Sequence, residues 1–262
     1  MPKFMTTDGI DIFYETFGKG QPMIFIHPPL MGHVVMHYQR ALSSHYQTIF
    51  YDCRGHGRST HKPEHVHLRN HTADLKQLIE YLGLKKPILV GYSSGGTVAQ
   101  DFALHYPDRV GGIVLSGGFP SVDTWSLRQE FNMGIGAIKA GKQAFLSKVL
   151  AKTHKITDRD EKTFFTYGQK ADPRTVLNFY IESLYYDCKN QLAELKAIPF
   201  LLLYGQKSYH IKPHARYYQE QLPYARTAII QGGTHQLPSR FHEPFNHAIH
   251  RFMTETFQPE PV

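Results

Sequence analysis

The chain reads as an α/β protein on a mostly parallel, doubly wound sheet, and three observations predict that class. Short apolar runs recur at strand length: Met23-Ile24-Phe25-Ile26-His27, Thr48-Ile49-Phe50-Tyr51-Asp52, Ile88-Leu89-Val90, Gly112-Ile113-Val114-Leu115 and Phe200-Leu201-Leu202-Leu203-Tyr204. They are uninterrupted rather than alternating, the pattern of strands buried on both faces. Segments of helical spacing lie between them, which gives the rhythm of strand, helix and parallel strand. The third observation is the corner Gly91-Tyr92-Ser93-Ser94-Gly95, where the run 88–90 gives way to Thr97, Val98, Ala99, Phe102 and Ala103 at helical spacing. This is strand, sharp turn and helix. Glycines two residues either side of a serine let strand and helix approach without a Cβ clash, and the serine hydroxyl then stands exposed at a helix N-terminus.

The elements follow in order. Residues 3–7 and 10–16 flank Asp8-Gly9, a hairpin signal, so the chain opens with an antiparallel edge pair. A helix is expected over 34–44. Leu75, Leu78, Ile79 and Leu82 predict another, with Thr72 as its N-cap and Gly83 as its stop. After the strand at 112–115 the rhythm fails near Ser121. Residues 125–190 carry helical patterns, the single tryptophan Trp125 and many aromatics, including Phe131, Phe145, Phe179 and Tyr185, most of them expected to pack. Pro199 restarts the sheet. A helix near 212–222, a strand from Arg226 to Gln231 and a closing helix from Pro244 to Thr256 complete the chain.

Bulk properties exclude several classes. With 262 residues there is ample chain for one core. No window approaches about 18 uninterrupted apolar residues, so no membrane span is expected. The N-terminus lacks an apolar signal core, and the expected location is the cytoplasm. The formal charge is +7, but the basic residues are scattered and no nucleic-acid motif accompanies them, so no nucleic-acid partner is expected. Cys53 and Cys188 match no metal or redox spacing and read as reduced thiols. Of 17 histidines, His61, His65, His67 and His71 cluster in a polar stretch, which reads as a solvated loop; a metal there is the competing reading. Neither a metal nor a cofactor is expected.

With Ile26-His27-Pro28-Pro29, the segment Asp52-Cys53-Arg54-Gly55-His56-Gly57-Arg58-Ser59, the corner around Ser93 and Gly232-Gly233-Thr234-His235, the sequence resembles the α/β-hydrolase family. The resemblance implies a core of residues 1–120 and 191–262 with a helical cap over 121–190. It also implies that 52–59 is a structural loop. Ser93 is then the nucleophile, and His235, after the last strand, its base, in the chain order of serine, acid, histidine.

Two departures from the family pattern stand out. The usual acid position after the strand ending at Gly205 holds Ser208, which carries no charge to stabilise an imidazolium. Asp123, in the loop after the preceding strand, preserves the chain order; loss of the acid, or another carboxylate such as Asp187, are the alternatives. The oxyanion hole draws one N–H from Ser94. The second donor normally comes from the position of Pro29, which has no N–H, and Leu30 is the candidate in its place. A lost donor costs roughly 3–4 kcal/mol of transition-state stabilisation. The expected activity is hydrolysis of a small carboxylic ester or lactone through an acyl-serine. The competing readings are an impaired member that binds a small ligand under its cap and a metal-dependent lactonase using the histidine-rich stretch. Substrate identity and oligomeric state stay open.

Overall fold

A computed structural model describes residues 2–62 and 64–257. Eight strands form one sheet in the order β1-β2-β4-β3-β5-β6-β7-β8. They are β1 (Lys3–Met5), β2 (Asp11–Phe17), β3 (Pro22–Ile26), β4 (Gln47–Tyr51), β5 (Ile88–Tyr92), β6 (Gly112–Ser116), β7 (Phe200–Gly205) and β8 (Arg226–Ile230). The first two join as an antiparallel edge, and from β4 to β8 every pairing is parallel. Successive side chains alternate between two cores. Ile24, Ile49, Leu89, Ile113 and Leu202 enter one, while Phe25, Phe50, Val90, Val114 and Leu203 enter the other. That two-sided burial is why these strands are apolar at every position.

Helices α1 (Leu68–Tyr81) and α2 (Gly95–His105) cover the first face. The second carries α9 (His242–Phe257), with α8 (Leu237–Arg240) before it. The segment expected to be a regular helix over 34–44 is instead a pair of 3₁₀ turns over His33–Ser44, broken at Met36. Its apolar residues Val34, Val35, Met36 and Leu42 still reach the core. The hairpin turn is longer than two residues: Thr6 N–H donates to Ile10 O at 2.9 Å and Gly9 takes φ +79°. The start of α1 differs too. Asn70 Oδ1 accepts from His67 N–H at 2.8 Å, so the helix begins a turn early, and Thr72 lies within it, donating to Asp101 Oδ2 at 2.6 Å.

Four helices stand between β6 and β7: α3 (Trp125–Lys139), α4 (Gln143–His154), α5 (Asp158–Lys170) and α6 (Pro173–Tyr185). Each start is sequence-encoded where the chain offers a cap. Thr124 accepts from Leu127 N–H, Thr157 from Asp160 N–H, and Asp172, ahead of Pro173, from Thr175 N–H. Most aromatics of this insertion pack, as expected: Phe131, Phe164, Tyr167 and Phe179 are buried, and Phe165, Tyr180 and Tyr186 lie half-buried against the core, while Trp125, Phe145 and Tyr185 stay largely exposed. The short α7 (Ala215–Gln221) precedes β8. Among the described residues no helix is long and apolar enough to cross a membrane.

The loop 52–59 is held from within. Asp52 is fully buried; one carboxylate oxygen accepts His33 N–H at 2.9 Å, and the other accepts Arg58 N–H at 2.9 Å. Gly57 adopts φ +54° with no room for a side chain, since a Cβ there would stand 2.3 Å from Asp52 Oδ2. Arg54 grips Asp74 of α1 through Nε and Nη2 at 2.7 and 2.6 Å. Both partners are buried, so cutting the pair leaves the guanidinium with only the half-exposed Asp8 carboxylate, 3.0 Å from Nη2. Replacing Asp74 by Ala is expected to cost about 3–5 kcal/mol of stability, read from the urea midpoint at unchanged slope.

Candidate active site

At the end of β5 the backbone turns on Ser93, which takes φ +52°, a left-handed conformation unusual for a residue with a side chain. Its N–H donates to Ser116 O at 2.9 Å and its carbonyl accepts Gly96 N–H at 2.8 Å, fixing the corner between β6 and α2. The flanking glycines are required by contact. A Cβ on Gly91 would lie 2.5 Å from Gly96 Cα, and one on Gly95 only 2.1 Å from Ile26 O. Ser94 is the N-cap residue of α2, so its N–H belongs to the set a helix leaves unpaired at its start.

The loop after β3 meets this corner. Cys53 N–H donates to His27 Nε2 at 2.9 Å, which leaves the ring proton on Nδ1, donated to Pro28 O at 2.8 Å. Burial, with His56 nearby, lowers His27 to a pKa of about 3, so this neutral ring serves as a fixed brace for the loop. Pro28, Pro29 and Met31 line the cavity at Ser93. Leu30, at φ +75°, turns its side chain away into a small cluster with Ile138, Ala171 and Val176.

His235 and Ser93 line the same cavity, of about 340 Å³, whose other walls come largely from α3 and α4. Two glycines let the histidine in. Gly117, at the end of β6, has φ +58°, and a Cβ there would stand 2.5 Å from the imidazole Cε1 and 2.6 Å from Nδ1. Gly205, at the end of β7, faces Gly233 O and Thr234 O so closely that a Cβ would sit 2.5 and 2.4 Å from them. The loop carrying His235 is thus seated on the ends of two strands. Gly117 is a requirement that sequence reasoning missed, although a Gly-Gly pair after a strand was the signal available.

Asp123 does not reach this imidazole. Phe119 and Val122 are buried in the core, and the carboxylate beyond them lies 3.0 Å from His214 Nε2, takes the Tyr217 hydroxyl and pairs with Lys189 at 3.5 Å. Asp187 accepts Lys189 N–H at 3.0 Å, so it too is engaged elsewhere. The Nδ1 of His235 has no hydrogen-bond partner among the described residues. Ser208, at the usual acid position, is buried with its Oγ likewise unpartnered. Around His235 stand other rings, Tyr92 at 5.3 Å and His210 at 5.5 Å between centroids. His210 Nε2 lies 3.2 Å from Glu130 of α3, the one carboxylate among the described residues lining the cavity. Burial raises the Glu130 carboxyl above its ordinary range, offset in part by His210. Neither residue was singled out from sequence, since each signal is a lone polar side chain in a loop or an amphipathic helix.

His154 of α4 also faces the cavity. Its Nδ1–H donates to Leu150 O at 2.8 Å, so its Nε2 accepts the Tyr92 hydroxyl at 2.9 Å. Burial brings its pKa down to about 4. Burial, reinforced by His210 and His154, likewise lowers His235 to about 3. A larger, more open groove of about 920 Å³ between β8 and α9 holds neither Ser93 nor His235.

A serine on a strained strand-to-helix corner, with a histidine from the loop after the last strand in the same cavity, is the site layout of a hydrolase fold. The family model for the alpha/beta hydrolase fold matches residues 21–200, and the chain belongs to that family. A non-heme haloperoxidase of Rhodococcus erythropolis is 35% identical over 127 residues, 46% of this chain and 45% of that protein, so the chain spans a little under half the length of that relative. Two solved structures share the architecture. A bromoperoxidase from Bacillus anthracis superposes with TM-score 0.86 at 23% identity, covering 97% of this chain and 100% of that one. An esterase from Exiguobacterium antarcticum does so with TM-score 0.86 at 20% identity, over 96% and 98%.

The lowered pKa of His235 has a kinetic consequence, because a base must be neutral to accept a proton. The imidazole stays neutral down to about pH 4, so kcat/KM for an activated ester is expected to be flat through the ordinary histidine range and to fall only in stronger acid. An acid limb centred near the unperturbed 6.5 contradicts that environment.

Proposed function

We propose that the protein is a serine hydrolase of small carboxylic esters or lactones, working through an acyl-Ser93 intermediate. The observation that carries this reading is the left-handed Ser93 at the N-terminus of α2, in one cavity with His235. In the proposed sequence, Ser93 Oγ attacks the ester carbonyl while His235 Nε2 takes its proton. The amides of Ser94 and Leu30 receive the oxyanion. The imidazolium then returns the proton to the leaving alcohol, and water, activated by the same ring, releases the acid.

The four-helix insertion acts in this reading as a cap. Met133, Phe145 and Val149 line the cavity and are also exposed, which makes an apolar mouth suited to the acyl side of an ester. Among similar proteins, an esterase shares the architecture and a haloperoxidase is named for a different reaction, and neither chooses a substrate.

A second reading, an impaired member that binds a small ligand, is favoured by the unpartnered Nδ1 of His235. Loss of the acid from such a triad lowers turnover on the order of 10⁴-fold. A fluorophosphonate probe separates the two readings. Labelling of Ser93 that is abolished in Ser93→Ala supports the hydrolase, and no labelling between about pH 5 and pH 9 supports the binder. The same logic gives a gain-of-function expectation. Ser208→Asp, which restores a carboxylate at the family position, is expected to raise kcat for p-nitrophenyl acetate by about 10²-fold or more and to move the acid limb toward neutrality. A variant that folds and shows neither change contradicts the assignment of His235 as base.

A further inference from the structure

Two of the clustered histidines do not belong to a featureless loop. The backbone at His67 is extended, with φ −85° and ψ 161°, so residues two apart share a face, and the His65 and His67 rings lie 4.4 Å apart. Facing them is Glu182, on α6 of the insertion. Its Oε1 stands 3.3 Å from His67 Nδ1 and 3.6 Å from His65 Nε2, and one donor atom from each of the three residues falls within 4.8 Å of the others. His71, which the sequence grouped with them, is instead buried in α1 and stacked on Phe179 at 4.3 Å.

We propose that His65, His67 and Glu182 bind a divalent transition cation of the zinc type, clipping the helical insertion to the segment that leads into α1. Tetrahedral ligands about 2.0–2.1 Å from a metal are about 3.3–3.4 Å from one another; the His67 separation of 3.3 Å lies on that edge, and the His65 separation of 3.6 Å is slightly wider. As hydrogen bonds to a carboxylate these contacts are weak: His67 Nδ1 makes a long one at 3.3 Å, and His65 Nε2 at 3.6 Å is out of range. The carboxylate is also oriented from behind: Glu182 Oε2 accepts Leu68 N–H at 2.9 Å, which turns Oε1 toward the rings, the kind of outer contact that fixes a ligand. Both imidazoles are largely exposed, which leaves room for water as a fourth ligand. Two nitrogens and one oxygen favour zinc, nickel or copper over magnesium or calcium, which take oxygen ligands.

The site lies apart from the Ser93 cavity, and the inference is independent of serine chemistry. It does touch that cavity's frame, because Tyr180, two residues before Glu182 on α6, forms part of its wall. Occupancy ties down the helix that carries that wall.

The test uses the full chain freed of any affinity tag and stripped with a chelator. Titration with zinc chloride, followed by calorimetry and thermal melting, is expected to give one equivalent bound and a raised Tm, with magnesium at the same concentration giving no shift. His67→Ala and Glu182→Gln are each expected to weaken binding at least 10-fold and to abolish the rise in Tm. Glu182→Gln keeps an amide oxygen for Leu68, so loss of the zinc effect there does not reflect loss of that helix contact. No zinc-dependent stabilisation of the unsubstituted chain, or one that persists in the double variant His65→Ala with His67→Ala, overturns the proposal; the latter assigns the ion to other histidines.

Discussion

The close approach of the Ser93 corner to the end of β3 is the constraint on which the site depends. A Cβ on Gly95 would lie 2.1 Å from Ile26 O, so the start of α2 packs directly on the end of β3 and leaves no room for a side chain between them. A left-handed serine carries backbone strain of about 1–3 kcal/mol, which persists only where surrounding structure over-determines it. Here β5 is buried along its whole length, Ser116 O holds the Ser93 amide, and His27 braces Pro28 from the far side. The serine, half-buried at the cavity, is therefore held on a rigid mount.

Among the described residues no carboxylate stands behind His235 Nδ1. Apolar walls and two neighbouring histidines disfavour the imidazolium, and at the position where the family pattern has a carboxylate the chain has Ser208. A ring that is always neutral is ready to accept a proton, but little stabilises it once it has done so. Glu130, paired with His210 on the cavity wall, is the charge that remains nearby in this frame. Although half exposed, its carboxyl is held above the ordinary carboxylate range by its surroundings, with His210 partly offsetting the shift. A carboxylate on an apolar wall also sets a limit on ligands, since an anionic group directed at it is repelled.

Much of the fold was legible in the sequence because local pattern carries it. Continuous apolar runs identified the buried strands, since every residue of β5, β6 and β7 has a core on each side. The Ser93 corner was legible because sterics leave almost no alternative to its glycines. What pattern could not supply is pairing between distant residues. Asp123 sits in the right loop by chain order, yet Phe119 and Val122 are drawn into the core and the carboxylate ends at His214. Glu182 meets His65 and His67 across more than a hundred residues, a meeting set by how α6 packs rather than by any local signal. The 3₁₀ turns over 33–44 carry apolar residues at helix-like intervals, and periodicity alone does not reveal the break at Met36.

The central claim, that Ser93 becomes acylated, is tested most directly by intact-protein and peptide mass spectrometry during turnover of p-nitrophenyl butyrate, quenched in acid. The account predicts a mass increase of one butyryl group, localised to the peptide containing Ser93 and absent in Ser93→Ala, appearing with a burst of nitrophenol. Steady release of nitrophenol with no acyl adduct on that peptide, at a rate unchanged in Ser93→Ala, would contradict it.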